Sequence, residues 1–176
     1  MNIIITILLV LAGIIFLLLI IALFMGKNYD VRREMTIGAD TQKVFNYLKH
    51  LKNQDNFNKW VMADQGMKKE FKGADGTVGF VYGWNGNKKA GEGEQEIRKI
   101  VEGKNIETEI RFARPMPSVA YANFITEPTS DKKTKVTWSN AGNMKYPMNV
   151  MSPMIVKMLA RDMDESLVTL KNILEK

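Results

Sequence analysis

The stretch "MSPMIVKMLARDMDESLVTLKNILEK" (151–176) closes the chain and has the spacing of a long amphipathic helix. Apolar residues recur every three or four positions and form one stripe, which comprises Met151, Met154, Ile155, Met158, Leu159, Met163, Leu167, Leu170 and Leu174. Pro153 fits only in the first turn, where its missing N–H breaks no helical hydrogen bond. A helix with one apolar stripe needs an apolar surface that covers it.

The segments before this helix alternate with a period of two, which is typical of strands with one buried face. The strand-like segments are "GTVGFVYGWN" (76–85), "GEGEQEIRKIVE" (91–102), "KNIETEIRFARP" (104–115), "SVAYANFITEP" (118–128) and "TKVTWSNAG" (134–142). Turn sequences such as "NGNKKAG" and "EGKN" separate them, as in an antiparallel meander. The first segment is predicted to place Val78, Phe80, Tyr82 and Trp84 on one face.

Further towards the amino terminus, "YDVRREMTIGA" (29–39) also alternates as a strand does. It precedes "DTQKVFNYLKHL", a helical pattern with Asp40 as its expected N-cap, and a short helical piece around "NQDNFNKWV". The predicted order is a strand, two helical pieces, six strands and the long helix. This order favours an α+β fold in which a curved antiparallel sheet of about seven strands wraps around the long C-terminal helix.

The chain begins with an uncharged apolar run, "MNIIITILLVLAGIIFLLLIIALFM". A bilayer span needs about 20 apolar residues, so we expect a transmembrane helix in 1–26 and one further domain in 27–176. A cleaved signal peptide is the alternative, but the run lacks a basic start and a good cleavage site. Lys27, Arg32 and Arg33 follow the run, which predicts a single-pass membrane protein with its C-terminal domain in the cytoplasm.

Composition excludes several function classes. The chain has no cysteine and a single histidine, His50, so neither a metal site nor a Ser-His-Asp arrangement is indicated. The net charge is +6, but the basic residues are spread along the chain and no nucleic-acid-binding motif accompanies them. That spread favours an ordinary solvated surface over a patch for lipid head groups. The alternating acids Glu92, Glu94 and Glu96 favour an outer, solvated strand face over an acid–base site.

Several phrases, in this order, resemble the START-like or SRPBCC superfamily, whose fold is the helix grip. They are "VFNYLKHLKNQDNFNKW", "GTVGFVYGWNGNKKAGEGEQEI", "FITEPTSDKKTKVTWSNAG", "MKYPMNV" and "DESLVTLKNILE". The resemblance is strongest to the polyketide cyclase/dehydrase branch and covers most of 29–175. It implies an apolar cavity between sheet and long helix that binds lipids, polyketides or other hydrophobic molecules. It implies no cofactor, and the amino-terminal membrane span is an addition to the common fold.

On that fold, residues of the inner strand faces and of the last loop are cavity candidates. The strand candidates are Phe80, Tyr82, Trp84, Gln95, Ile97, Ile110, Phe112, Phe124 and Trp138. The alternative is that these aromatic residues fill an ordinary core. The candidates in "MKYPMNVMSPMIVKM" (144–158) are Met144, Tyr146, Met148, Met151, Met154 and Met158, because flexible methionines adapt to varied apolar partners at a cavity mouth.

Three functions follow as hypotheses. The favoured one is a membrane-anchored binding domain for a hydrophobic small molecule or lipid, since apolar and aromatic residues are plentiful and reactive ones are few. The second is a cyclase or dehydratase in which Tyr82 or Tyr121 acts with a carboxylate. The third is a co-chaperone-like protein-interaction domain, which predicts an exposed apolar patch and a small cavity.

Overall fold

The computed structural model describes residues 2–130 and 132–176. The helices are α1 (Ile3–Phe24), α2 (Thr41–Lys49), α3 (Lys59–Met62) and α4 (Ser152–Leu174), with short 3₁₀ helices at Leu51–Asn56 and Met148–Met151. The strands are β1 (Asn28–Ile37), β2 (Lys68–Lys72), β3 (Val81–Asn85), β4 (Glu92–Val101), β5 (Asn105–Arg114), β6 (Ser118–Ser130) and β7 (Lys133–Asn143).

The strands form one antiparallel sheet in the order β1-β7-β6-β5-β4-β3-β2. The apolar stripe of α4 packs against this sheet, where Met163, Leu167 and Leu170 are fully buried beside Phe124 and Trp138. The predicted fold class is therefore confirmed, with a curved seven-stranded sheet gripping one long helix. Asp40 caps α2 as expected, because its carboxylate accepts hydrogen bonds from the N–H groups of Gln42 and Lys43.

Two strand predictions need correction. The segment 76–85 is a strand only from Val81 onwards, because Gly76 and Gly79 adopt positive φ angles in the preceding turns. Val78 lies in those turns and is 60% exposed, so it does not share the buried face of Tyr82. The predicted order has six strands after the helical pieces, but the alternating pattern located only five of them. The remaining strand is β2, a short charged strand at the edge of the sheet.

One end of the sheet, which we call the proximal end, adjoins α1. Strand β1 begins there at Asn28 opposite Asn143, and α1 ends at Phe24, so only residues 25–27 join helix and sheet. Helix α1 is long and apolar enough to cross a membrane, and no other helix in the described part of the chain is. The Nδ2 of Asn149 donates hydrogen bonds to the carbonyl oxygens of Ala22 and Met25, at 2.7 and 3.0 Å. Because the last carbonyls of a helix have no partner within it, these bonds tie the end of α1 to the second 3₁₀ helix.

Candidate functional site

A cavity of about 300 Å³ lies between the sheet and the first half of α4. Its wall is mostly apolar and aromatic, with Ala122 and Trp138 from the sheet and Ile155 and Leu159 from α4. Trp60 and its neighbour Val61 contribute from α3. A volume near 300 Å³ and an apolar lining with a few polar groups are typical of small-molecule sites.

The cavity wall brings together one group of the predicted site residues. Those that line it are Tyr82, Trp84, Gln95, Ile110, Phe112 and Trp138. They come from β3, β4, β5 and β7, and their alternate positions face α4 because side chains in a strand alternate between the two faces. The ring of Trp84 meets that of Phe112 edge to face, with centroids 5.9 Å apart.

The remaining predicted residues lie elsewhere. Phe80, Ile97 and Phe124 are at most 2% exposed and pack in the cores on either side of the cavity. None of the residues proposed from 144–158 is part of the cavity wall; these are Met144, Tyr146, Met148, Met151, Met154 and Met158. They are partly or largely exposed and follow the proximal end of β7 into α4. A role for any of these residues in ligand binding stays a prediction.

Two glycines make room for aromatic side chains of the cavity. Gly93 lies opposite Trp84 in the β3–β4 register, and a Cβ at position 93 would come within 2.8 Å of the indole ring. Gly142 lies opposite Tyr29, and a Cβ there would come within 2.7 Å of the phenol oxygen. Any larger residue at either position would displace a ring that lines the cavity.

Tyr82 is the one tyrosine in the cavity wall that contacts a carboxylate in the described structure. Its hydroxyl donates a 2.6 Å hydrogen bond to Asp55 Oδ1, and Lys69 Nζ lies 2.7 Å from Asp55 Oδ2. Burial raises the pKa of Tyr82, and the hydrogen bond to Asp55 raises that pKa further. The phenol therefore keeps its proton at neutral pH and directs it towards Asp55.

Two buried hydrogen-bond donors in the cavity-lining residues have no acceptor among the described residues: Gln54 Nε2 and Trp138 Nε1. Gln54 uses only its Oε1, which accepts from Asn58 Nδ2 at 2.8 Å. The other two tryptophans of the chain are satisfied, Trp60 by Asp162 and Trp84 by the carbonyl of Ala90. Buried donors nearly always have a partner, so these two depart from the rule, and both atoms lie just behind the cavity surface that their side chains form.

Trp60 is held in place from α4. Its Nε1 donates to Asp162 Oδ2 at 3.2 Å, and Lys59 Nζ lies 3.1 Å from Asp162 Oδ1. Burial raises the pKa of Asp162, but hydrogen bonds from Lys59 and Arg161 outweigh it, so the net pKa lies below the usual range. Asp162 is thus a buried carboxylate that fixes the wall rather than a free acid.

The alternating acids of β4 lie on the outer face, as expected. Arg111 is paired with Glu94, Glu96 and Glu109, at 2.7, 2.8 and 2.5 Å. The cavity-facing neighbour of these acids is the buried Gln95, whose amide donates to Thr108. The carboxylates are therefore occupied by arginine on the side of the sheet away from α4.

The cavity opens at the proximal end of the sheet. Its exposed lining residues are Lys89, in the β3–β4 loop, and Arg114 and Pro115, at the end of β5. Arg114 is held by Glu92 at 2.7 Å and by Asn85 at 2.6 Å. The opening is therefore bounded by fixed strand ends and by one basic loop.

Sequence reasoning missed Tyr29, Gln54, Asn58 and Trp60 as cavity residues. Gln54, Asn58 and Trp60 come from the short helical segments, whose irregular period shows no inner face. Tyr29 is the second residue of β1, where alternation predicts a face but gives no reason to favour a cavity over solvent. A buried glutamine has no sequence signal of its own, because glutamine is usually exposed.

No protein-family model and no curated protein matches the chain. Solved structures do. Truncated norcoclaurine synthase from Thalictrum flavum superposes with a TM-score of 0.65 at 12% identity, covering 86% of this chain and 97% of that one. The Aha1 dimer from Colwellia psychrerythraea gives 0.58 at 16% identity, covering 84% and 96%. Ara h 8.0201 gives 0.54 at 16% identity, covering 81% and 98%.

These neighbours define a class of fold. The chain has the helix-grip fold shared by START-like and Bet v1-like proteins. At such identities the likeness carries no activity over to this chain, because one fold supports many functions.

Proposed function

We propose that residues 27–176 form a cytoplasmic domain, held at a membrane by residues 1–26, that binds a small hydrophobic molecule in its cavity. The ligand is a lipid-derived or polyketide-like molecule that carries an oxygen acceptor. The observation that supports this ligand class most directly is that two residues of the mostly apolar wall, Gln54 and Trp138, each carry a buried donor without an acceptor among the described residues. Because both donor atoms are buried behind the cavity surface, a small shift of each side chain would bring its donor to a ligand carbonyl or carboxylate oxygen, whereas a pure hydrocarbon would leave both unpaired.

The membrane part of the proposal is supported by α1. Its 22 residues extend about 33 Å at 1.5 Å per residue, against a hydrocarbon thickness of about 30 Å. Its side chains are apolar and largely exposed, as for Ile3 at 74% and Phe24 at 86%, so the rest of the chain does not cover them. Lipid would cover them.

Thiol labelling tests the anchor and its orientation, because the natural chain has no cysteine. Lys104→Cys places one thiol at the far end of the sheet, on an exposed turn. In sealed cells, a membrane-impermeant maleimide should label this variant only after the membrane is opened. Labelling of intact cells, or release of the protein by alkaline carbonate, would contradict the anchored cytoplasmic arrangement.

Native mass spectrometry of the full chain from micelles tests the ligand. We expect a co-purifying small molecule whose extracted mass identifies its class. Paired probes then test the two donors: the aryl ketone prodan, which has an acceptor, and the hydrocarbon pyrene, which has none. In Gln54→Leu and Trp138→Phe, one lost hydrogen bond should weaken the binding of prodan about tenfold more than the binding of pyrene.

Trp84→Phe is the matched control. Its indole N–H already donates to Ala90, so this change removes a similar ring from the same cavity but no free donor. It should affect prodan and pyrene equally. Equal losses for both probes in Trp138→Phe as well would show that only cavity shape matters, and the proposed acceptor would be wrong.

A second candidate is catalysis of the cyclase or dehydratase type in the same cavity. The specific observation is the chain of contacts from Lys69 through Asp55 to Tyr82, whose side chain lies in the cavity wall. Such a chain can transfer a proton between solvent and a bound molecule. If it does, the identified ligand is converted to a product by the wild type, and Tyr82→Phe binds the ligand without converting it. Recovery of the unchanged ligand from the wild type would exclude this candidate.

A further inference from the structure

The opening of the cavity and the end of α1 lie at the same end of the sheet. The register places Asn85, Glu92 and Arg114 in line at the proximal end, beside the opening. It also places Asn28, where β1 leaves α1, opposite Asn143. The strands of one sheet that end together share an edge, so the cavity opens towards the side from which α1 leaves.

The proximal end is held close to the point where α1 ends. Residues 25–27 can span at most about 10 Å, at about 3.5 Å per residue. The N–H of Met144 donates to the carbonyl of Lys27 at 2.7 Å, which fastens this linker to the end of β7. The Asn149 amide fastens the last turn of α1 from the other side. The sheet therefore cannot swing freely about the linker.

Exposed apolar side chains collect around this end. Met116 in the β5–β6 loop is 49% exposed, and Tyr146 after β7 is 43% exposed. Met151, which ends the second 3₁₀ helix, is 36% exposed, and Met154, in the first turn of α4, is 61% exposed. Exposed apolar groups that cluster next to each other usually mark a contact surface.

Exposed lysines accompany them. Lys27, Lys88, Lys89 and Lys145 come from three separate segments of the chain, and all are exposed. None of them forms an ion pair within residues 2–130 and 132–176. They are dispersed in the sequence, and only the fold gathers them at one end.

The acidic groups at the proximal end are already engaged. Glu92 is paired with Arg114 at 2.7 Å, and Asp30 with Arg32 at 3.0 Å. Asp64 accepts from the N–H of Asn87 at 2.7 Å. The exposed lysines therefore produce a positive electrostatic potential at this end, which the neighbouring acidic groups offset only in part.

We propose that a proximal rim, made of Lys27, Lys88, Lys89, Met116, Lys145, Tyr146, Met151 and Met154, docks on an anionic bilayer surface and opens the cavity directly towards the lipid. Mixed lysine and apolar side chains fit the boundary between phosphate head groups and acyl chains. A ligand would then enter from the bilayer without crossing water. This proposal rests on the proposed function, because it takes α1 as the membrane span.

Depth measurement by electron paramagnetic resonance tests the rim in the full chain. Single spin labels at Lys89→Cys and Met116→Cys are compared with Lys104→Cys at the far end, in nanodiscs of phosphatidylcholine with or without a third of phosphatidylglycerol. In the anionic discs, we expect the two rim labels to be more accessible to oxygen than to a polar nickel complex. The Lys104 label should stay in water in both lipids.

A variant without three of the rim lysines tests whether their positive charge causes the docking on anionic lipid. Replacing Lys88, Lys89 and Lys145 by Gln, with the label at Met116→Cys, should remove the effect of phosphatidylglycerol on label depth. The matched control, Lys104→Gln with Lys132→Gln and Lys133→Gln, removes three positive charges from the far end and should leave that effect intact.

Two outcomes would overturn the proposal, and a label within α1 separates them. If Leu18→Cys reports lipid while Lys89→Cys and Met116→Cys report water, the anchor stands and the rim is not a membrane surface. A protein partner that buries the rim would then be the alternative. If Leu18→Cys itself reports water, the membrane anchor fails, and the rim proposal fails with it.

Discussion

The hydroxyl oxygen of Tyr82 lies 2.6 Å from Asp55 Oδ1, between a buried cavity wall and a carboxylate that Lys69 also contacts. Tyr82 is 3% exposed, and its pKa is raised first by burial and then by the hydrogen bond to Asp55. The folded protein therefore holds the phenol neutral at a pH where an unfolded tyrosine ionises. This difference makes stability depend on pH in the alkaline range.

Tyr82→Phe should make the stability of the protein less dependent on pH in the alkaline range. A raised pKa contributes stability that is complete below about pH 10, the value for an unfolded tyrosine, and is lost as the pH rises through the folded pKa. The Tm of the wild type in micelles should therefore fall increasingly as the pH rises above about 10, and that of Tyr82→Phe should fall less. Tyr121→Phe, at a site 57% exposed, is the control and should follow the wild type. Parallel curves for wild type and Tyr82→Phe would contradict the role of burial.

Phe124→Ala and Phe112→Ala should separate core from cavity. Phe124 is 2% exposed and stacks on Trp138 at 4.9 Å, so its loss should cost about 3–5 kcal/mol of stability. Phe112 lines the cavity and is only partly buried, so Phe112→Ala should cost less stability and weaken the binding of pyrene. Thermal unfolding and native mass spectrometry measure the two effects. Equal effects of both changes on both measurements would show that the cavity wall and the core are not distinct.

The fold was predictable because the sequence shows two clear periods, a two-residue period in the strands and a three- to four-residue period in α4. Alternation in the strands and the stripe of α4 each define one buried face, and only a few architectures bury both together. The same alternation correctly predicted that Tyr82 and Gln95 lie on the inner face of the sheet, where both are buried. It could not separate Trp84, which lines the cavity, from Phe80, which is core, because Phe80 is covered by Leu51 of the first 3₁₀ helix, a neighbour that the alternation does not reveal.

The position of the methionine-rich stretch was not predictable in this way. Its composition indicated an adaptable surface, but local sequence does not say which neighbour that surface meets. The structure shows that the neighbour is α1, through the bonds of Asn149 to Ala22 and Met25. Gathering Lys27, Lys88 and Lys145 likewise needs the strand register, which joins segments distant in sequence.

Asn149→Ala should loosen α1 from the sheet. Asn149 is fully buried, and its side chain supplies both hydrogen bonds to the end of α1. Spin labels at Leu23→Cys and Lys104→Cys should give a narrow distance distribution in the otherwise wild-type chain and a broad one in Asn149→Ala. Asn143→Ala is the control, since it removes an exposed amide that contacts only Asn28 Oδ1. An unchanged distribution in Asn149→Ala would mean that residues 25–27 alone fix the arrangement.

Asp162→Asn should make the protein less sensitive to acid. The pKa of Asp162 is lowered because hydrogen bonds from Lys59 and Arg161 outweigh the effect of burial. A lowered pKa contributes stability that is present above about pH 4, the unfolded value for aspartate, and lost as the pH falls through the folded pKa.

At pH 7 we expect Asp162→Asn to lower the free energy of unfolding by about 1 kcal/mol, or the Tm by roughly 2–4 °C. The reason is that Lys59 and Arg161 lose a charged partner. The amide oxygen of the new asparagine can still accept the hydrogen bond from Trp60. Below about pH 4 the difference from the wild type should shrink, since the unfolded Asp162 carboxylate then takes up a proton and the folded one follows as the pH falls through its lowered pKa. Asp164→Asn, whose exposed carboxylate contacts only Arg33, is the control and should change Tm little at either pH. A constant difference between Asp162→Asn and wild type from pH 7 to pH 3 would show that shape, rather than charge, holds Trp60 in the cavity wall.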